Sequence, residues 1–169
     1  MGEREMILVL AALLFFSMTS LTVNRFCLQN DETMLQSELE YYAISLAQGI
    51  IEEAKTRYFD VAVETTPPPS LSQLPNLFTY PLGPRWNESY PNFSDVDDYH
   101  GLTLNITTAN NPSAKVDYTV RVQVGYVNEA NIDQIVNYKT FYKKMTVIVT
   151  SAYLPAPVAL SHVFSYYEF

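Results

Sequence analysis

The sequence predicts an α+β protein, with a long N-terminal α-helical spine packed on a C-terminal antiparallel β-sheet. Residues 6–23 are an apolar run without charge, Gly or Pro, and residues 24–59 continue it without proline. Both properties favour a helix. Further along the chain, three segments are strand-like, and the second of them alternates apolar and polar side chains, as half-buried strands do, while the third does so less cleanly. A single long helix followed by strands is an α+β pattern.

Residues 1–25 are predicted to form a hydrophobic stem. At about 1.5 Å per residue the apolar run spans roughly 27 Å, close to the hydrocarbon thickness of a bilayer, so it can sit in a membrane. A cleaved secretory signal is the alternative, but the chain has neither a positive first segment nor a small-residue cleavage site after the run. Glu3, Arg4 and Glu5 precede the run, so its flank also lacks the Lys and Arg excess of an ordinary anchor.

Residues 26–64 are predicted to be the amphipathic second half of the spine. Two adjoining apolar stripes recur there at helical spacing, wide enough to pack a sheet as well as neighbouring helices. They are Leu35, Leu39, Tyr42, Leu46 and Ile50, then Ile44, Ala47, Ile51, Ala54 and Tyr58. Within the stem, the hydroxyl residues Ser17, Thr19, Ser20 and Thr22 weaken a helix locally, so we expect a break there.

Residues 65–169 are predicted to form a globular, β-rich head. Residues 65–70 contain three consecutive prolines that end the spine, and residues 65–98 form a proline-rich wrap with apolar anchors. The predicted strands are residues 102–108, 116–127 and 138–153, made antiparallel by turn signals at 110–113 and 128–131, while residues 158–169 add a fourth strand or an edge.

Composition excludes several function classes. A net charge of −8 and a pI near 4.6 disfavour binding to nucleic acid. The lone Cys27 allows no intrachain disulfide, and we expect it to pack as a small apolar residue. With two histidines and no nucleophile elbow, phosphate loop or zinc-protease motif, the sequence offers no acid/base pair, and we expect no enzyme.

The N-terminal residues resemble those of a mature type IV pilin or type II secretion pseudopilin. Met1, Glu5 and the apolar run that starts at Met6 match that family, whereas Gly2 and its two successors depart from its apolar or small residues. The resemblance implies that a prepilin peptidase removes a leader, that Met1 is a processed and methylated terminus, and that the stem loses helical structure near residues 17–23 in filaments. The segment 93–101, FSDVDDYHG, followed by the strand-like runs 118–122 and 143–149, is similar to minor pilins of the mannose-sensitive haemagglutinin class.

What the resemblance implies is a structural subunit of a type IV pilus-like extracellular filament, a fimbrium with uses such as cell adhesion. Such a subunit waits in the inner membrane, is passed to the pilus assembly machinery, and becomes a homo-oligomer in a helical filament at the cell surface. Two alternatives stay open: a type II secretion pseudopilin, and a single-pass membrane-anchored periplasmic domain that binds a ligand.

Glu5 is the first candidate site residue. A carboxylate beside hydrocarbon is costly unless neutralised, and the family implies that Glu5 pairs with the terminal amine of Met1 on the adjacent subunit. The alternative is an interfacial glutamate that reaches to lipid headgroups.

Other candidates lie in the head. Asp95, Asp97 and Asp98 could hold calcium, the one cofactor considered, although they lack the Gly and closing Glu of an EF-hand loop, and a solvated acidic turn is the simpler interpretation. His100 and His162 are expected to be core or surface residues. Asn87, Asn92 and Asn105 fit the N-glycosylation pattern, which is short and matches often by chance.

Overall fold

A computed structural model describes residues 2–60, 70–74, 81–108 and 115–166. Within these ranges the elements are helix α1 (Glu3–Ala54) and strands β1 (Thr103–Thr107), β2 (Asp117–Asn128), β3 (Asn131–Val136), β4 (Tyr142–Ser151) and β5 (Val158–Ser165). Short 3₁₀ turns lie at Leu71–Gln73 and Asp97–Tyr99. The predicted α+β arrangement, a long N-terminal helix packed on a C-terminal antiparallel sheet, is confirmed.

The chain divides into two compact units, Met1–Leu39 and Glu40–Phe169. In the first unit, α1 runs through residues 17–23 without the predicted break. The Ser17, Thr19 and Thr22 hydroxyls donate to the carbonyls of Leu13, Phe16 and Met18 at 2.8–2.9 Å, so their hydrogen bonds are made inside the helix.

In the second unit, α1 contributes a narrow apolar face to the core. The buried positions are Ala43, Ala47, Ile50, Ile51 and Ala54, which recur at helical spacing, and most of them belong to the second predicted stripe. Three of the five are alanines, whose small side chains allow a backbone to approach closely. The Tyr42 ring lies 5.1 Å from the Tyr118 ring of β2.

The helix ends at Ala54, ten residues before the predicted end of the spine at residue 64. The Thr56 and Arg57 amides donate to carbonyls three residues back, which tightens the last turn. Tyr58 then forms a parallel bridge with Asp95, and Phe59 and Asp60 are buried. The chain therefore enters the head at residues 58–60, before the prolines that were predicted to end the spine. The predicted wrap is described only at residues 70–74 and 81–98, because residues 61–69 and 75–80 lie outside the described ranges.

The sheet has the order β1-β2-β4-β5, and β3 pairs with β2 near its end. Every pairing is antiparallel, and the longest runs from Tyr118↔Ser151 to Tyr126↔Lys143. The predicted alternation of β2 is confirmed, with Tyr118, Val120, Val122, Val124 and Tyr126 buried. On β4 the buried face is Lys143, Met145, Val147 and Val149.

Two turn predictions have different outcomes. The signal at 128–131 leads into β3, a strand that the sequence did not predict, rather than directly into the third predicted strand. The signal at 110–113 lies outside the described residues, although β1 and β2 are antiparallel neighbours. The tail forms the fourth predicted strand as β5, and residues 167–169 lie outside the described part of the chain.

Candidate functional site

The N-terminal part of α1 presents apolar side chains to its surroundings. An 18-residue window has a mean hydropathy of 2.3, none of it is buried, and the helix is long and apolar enough to cross a membrane. The exposed side chains between residues 6 and 28 include Leu8, Leu14, Phe15, Phe16, Met18, Leu21 and Phe26. A soluble monomer rarely exposes so large a contiguous apolar surface, so this segment fits a membrane anchor or a helix that packs against others.

Glu5 closes the first turn of α1. The Gly2 amide donates to Glu5 Oε2 at 3.1 Å, and the Glu5 amide donates to the Gly2 carbonyl at 2.9 Å. The side-chain bond is one half of a capping box, because glycine at the N-cap has no side chain to accept the Glu5 amide, which bonds to the Gly2 carbonyl instead. Glu3 also lies in the first turn, where negative charge meets the positive end of the helix dipole. Met1, whose amine on an adjacent subunit is the predicted partner of Glu5, lies outside the described residues.

Sequence reasoning missed this capping role. A glutamate three residues after a residue able to cap is a known signal for a helix start, and Gly2 and Glu5 have that spacing. The two roles are compatible, because the cap uses one carboxylate oxygen of an exposed side chain.

The acidic turn is folded on itself rather than solvated. Asp98 Oδ2 accepts the Ser94 amide at 3.0 Å and the Asp95 amide at 3.2 Å, while Asp95 Oδ1 accepts the amides of Asp97 and Asp98 at 3.1 and 3.2 Å. Asp95 and Asp98 are each 1% exposed. The simpler expectation of a solvated turn is therefore wrong, since these carboxylates satisfy backbone N–H groups that would otherwise be buried without partners.

Calcium binding gains no support from this geometry. Among the described residues, no group of three or more His, Cys, Asp or Glu side chains is placed to hold a metal ion. Asp97, the least buried of the three predicted ligands, faces Lys143 instead.

Lys143 is the group that sequence reasoning missed in the head. Its side chain is 0% exposed, and its ammonium donates to the Phe59 carbonyl at 2.6 Å, to Asp60 Oδ2 at 3.1 Å and to Asp97 Oδ1 at 2.5 Å. The nitrogen lies 4.5 Å from the centre of the Phe59 ring and 5.2 Å from that of Tyr126. The one available signal was the β4 pattern, in which residue 143 occupies an inward position between Phe141 and Met145.

The electrostatics of this buried cluster follow from burial and from the charges in contact. Burial, reinforced by the Asp97 carboxylate, raises the pKa of Asp95 to about 9, so Asp95 carries a proton at neutral pH. Burial lowers the pKa of Lys143, but Asp97, Tyr126 and Asp60 outweigh it and the net pKa is raised. Burial raises the pKa of Asp98 to about 6 against the opposing effect of its amide donors. The cluster therefore combines a buried ammonium with both ionised and protonated carboxyl groups.

A second polar group ties the 90–99 segment to the end of α1. The hydroxyls of Tyr99 and Tyr90 donate to the two Glu53 carboxylate oxygens at 2.8 and 3.1 Å. Arg57 lies 3.7 Å from Glu53 and donates to the Pro91 carbonyl at 3.1 Å. This network holds the acidic turn in place beneath Lys143.

The three predicted glycosylation positions are exposed. In two of the sequons a side chain already makes a hydrogen bond within the protein. Asn105 Oδ1 accepts a hydrogen bond from the Thr119 hydroxyl at 3.0 Å, and the Ser94 hydroxyl of the Asn92 sequon donates to Glu88 at 2.8 Å. Glycosylation of Asn87, Asn92 and Asn105 stays a prediction.

The remaining candidates have local roles. His100 is exposed, and its Nδ1 accepts the Val124 amide at 3.1 Å, filling the gap between β1 and β3 on the edge of β2. A slot of about 370 Å³ lies at this gap, lined in part by His100, Arg121 and Ile135. His162 packs edge-on against Phe164 at 4.8 Å. Cys27 is exposed on α1, so its expected packing role needs a neighbouring helix.

No protein-family model matches the chain, and no curated protein or solved structure matches it.

Proposed function

We propose that this chain is the structural subunit of a type IV pilus-like filament and that it polymerises through the hydrophobic helix of residues 1–25. The observation that carries the proposal is the apolar N-terminal half of α1, none of whose most apolar window is buried. The same helix supplies a core face to the head in its second half, at Ala43, Ala47 and Ile51. A helix with these two kinds of surface links a folded head to an apolar assembly segment.

Transfer of the stem between two apolar environments is the proposed mechanism of assembly. In water, on the order of 1,500 Å² of apolar surface at about 25 cal/mol per Å² corresponds to tens of kcal/mol, before ordering costs. The stem therefore waits in the inner membrane and leaves it only for the core of a filament made of other stems. Because both environments are apolar, the free-energy change of the transfer is small. Polar contacts therefore decide the register, that is, the axial offset between neighbouring stems.

Glu5 is the proposed register-setting residue. In the free subunit its carboxylate caps the helix through the Gly2 amide, an interaction of about 1 kcal/mol. In the filament the carboxylate meets the amine of Met1 on the adjacent subunit. Once that pair is buried in the filament core, loss of either partner costs about 3–5 kcal/mol, more than loss of the cap, because it leaves the other charge buried and unpaired.

The experiment follows the subunit from membrane to cell surface. Cells that produce an epitope-tagged full chain are sheared, and the sheared filaments and the membrane fraction are probed for the tag. Tagged subunits along filaments many subunits long support the proposal. A tag that stays entirely in the membrane fraction, with the full assembly machinery present, contradicts it.

A type II secretion pseudopilin shares the stem and differs in the length of the assembly. It predicts short, envelope-bound assemblies and loss of secretion when the chain is removed, without surface fibres. The same shearing experiment separates the two functions.

A single-pass membrane-anchored ligand-binding domain is the other alternative, and the slot beside His100 favours it. Its volume, about 370 Å³, lies at the low end of small-molecule sites. This function predicts monomers in detergent, and cross-linking of the full chain in membranes distinguishes it from a polymerising subunit.

A further inference from the structure

The Lys143 cluster brings together the groups of a buried ion pair, which are also the groups that an amine–carboxyl reaction needs. Lys143 and Asp97 lie on separate elements, strand β4 and the 3₁₀ turn at Asp97–Tyr99, yet Nζ and Oδ1 are 2.5 Å apart. A simple ion pair inside a protein gains little over an apolar pair of the same size, because desolvation offsets the attraction. The close approach of an amine and a carboxyl group in an apolar site also meets the requirements of a reaction.

Three features of the site bear on that reaction. Nζ is fully buried between the rings of Phe59 and Tyr126, so bulk water does not solvate the amine once it is neutral. The Asp97 side chain is 19% exposed, so a small leaving molecule has a way out. The Asp95 carboxyl hydrogen-bonds that of Asp97 and carries a proton.

We propose that Lys143 and Asp97 form an intramolecular isopeptide bond, an amide between Nζ and Cγ, with release of one water molecule. The inference concerns the head alone and does not rest on the proposed function.

The reaction balances without any co-reactant. A proton passes from Lys143 Nζ to Asp97 Oδ1 along their hydrogen bond, giving a neutral amine and a carboxylic acid. The Nζ lone pair then attacks Cγ, and the C–N bond forms. Asp95 donates its proton to the departing hydroxyl, the C–O bond breaks, and water leaves. Asp95 regains a proton from the nitrogen, so it acts as a general acid and base.

Position supplies most of the rate. Well-oriented reacting groups on one framework reach effective concentrations of about 10⁵ M or more. Lys143 rests as an ammonium, because Asp97 and Asp60 raise its pKa, so the reaction proceeds from the minor neutral pair. Asp60 also contacts Nζ, at 3.1 Å, but its carboxylate is 2% exposed and lacks the exit that Asp97 has.

Intact mass spectrometry of the full chain, purified in detergent and then denatured, tests the inference. We expect a mass lower by one water than the sequence mass, after any methyl group on Met1 has been counted. Trypsin should then yield peptide 140–144, with Lys143 uncut, joined to peptide 86–115, which contains Asp97. The full sequence mass together with cleavage after Lys143 overturns the proposal. Peptide 140–144 joined to peptide 58–85, which contains Asp60, overturns the assignment to Asp97.

Two matched variants identify the nucleophile. Lys143→Arg keeps the cation but has no amine to acylate, and its mass should equal its sequence mass. Lys144→Arg alters the neighbouring lysine, which binds Asp133 at 2.7 Å, and should retain the cross-link. A mass deficit that persists in Lys143→Arg indicates dehydration elsewhere in the chain and overturns the proposal.

Asp95→Asn tests the role of the general acid. The amide keeps an acceptor for the amides of Asp97 and Asp98 but cannot give up a proton to the leaving group. The cross-link should form several-fold more slowly after synthesis, while the circular dichroism spectrum stays that of the folded chain. An unchanged rate would show that Asp95 does not act as the general acid.

Discussion

At the scale of single residues, Lys143 is the residue on which the head depends most. Before the proposed cross-link forms, its ammonium is buried because two carboxylates and a carbonyl reach it, and without them a charge in this position would be very costly. Two of its partners, Phe59 and Asp60, lie a few residues after the end of α1, and the third, Asp97, lies in the acidic turn. Lys143 therefore connects three distant parts of the chain.

We expect Lys143→Met to destabilise the head by at least about 3–5 kcal/mol, because it leaves the carboxylates of Asp60 and Asp97 without their counter-ion and also cannot form the proposed cross-link. Urea unfolding of the full chain in detergent, followed by near-ultraviolet circular dichroism, measures the change. Lys144→Met is the control, since its partner Asp133 is 84% exposed and such pairs contribute about 0–1 kcal/mol. Equal effects of the two variants would contradict the account of the cluster.

The pKa of Asp95 gives the head a pH dependence of definite sign. An acid whose pKa is higher in the folded state holds its proton more tightly there, so its contribution to stability is lost as the pH rises through the folded value. For Asp95 the window runs from about 4, the ordinary pKa, to about 9. Through Asp95, the melting temperature should therefore fall between about pH 4 and pH 9.

Asp95→Asn should flatten that dependence, because the amide resembles the protonated acid and does not titrate. Melting curves of the wild type and the variant across the same pH range measure it. An equally steep loss of stability in the variant would assign the pH dependence to other groups.

At the scale of elements, the helix and β2 could be predicted because each has a strong period. The alternation of β2 from Tyr118 to Tyr126 corresponds residue by residue to its buried face. Strand β3 could not be predicted, because its residues are almost all exposed and carry no alternation. The end of α1 was misjudged, because Phe59 and Asp60, a few residues after Ala54, are buried in the head in a non-helical conformation.

Ala47→Leu tests the close contact between α1 and the rest of the head. Ala47 is 0% exposed, and added methyl groups in a packed core cost about 1–3 kcal/mol. Gln48→Leu, at the next and exposed position, should change stability by less than about 0.5 kcal/mol. The urea midpoints of the two variants give the comparison. A neutral Ala47→Leu would mean that the helix face is loosely packed.

Removal of residues 1–25 should leave a soluble, folded monomer. The buried positions of α1 begin at Ala43, and the core of the sheet lies entirely downstream, so the truncation removes exposed apolar surface and no core. Size-exclusion chromatography and circular dichroism measure the result. An aggregated or unfolded product under mild conditions would show that the head needs the stem.

At the scale of the whole molecule, the sequence predicted the elements better than the contacts between them. The Asp95–Asp98 turn was recognised as special from its composition, but its partner Lys143 lies 46 residues beyond Asp97, and only the fold brings the two together. Glu5 was recognised by resemblance, whereas its contact with Gly2 follows from the spacing of a helix start. The proposed function, in contrast, depends on contacts between copies of the chain, so it stays a prediction.

Glu5 is proposed to set the register of a polymer of stems, and the variant Glu5→Ala separates that role from the helix cap. The variant keeps the apolar run, so it should enter the membrane and fold, but the amine of the neighbouring subunit loses its partner at every joint. Loss of the helix cap alone costs about 1 kcal/mol and would not prevent assembly. Glu3→Ala, in the same turn, is the matched control for charge near the helix start.

Filaments per cell, counted by electron microscopy and divided by the subunit abundance in the membrane fraction, are the measurement. We expect Glu5→Ala to accumulate in the membrane at wild-type abundance with almost no filaments, while Glu3→Ala assembles normally. Normal filament numbers for Glu5→Ala at normal abundance would contradict this expectation, and would leave Glu5 with the helix cap as its role.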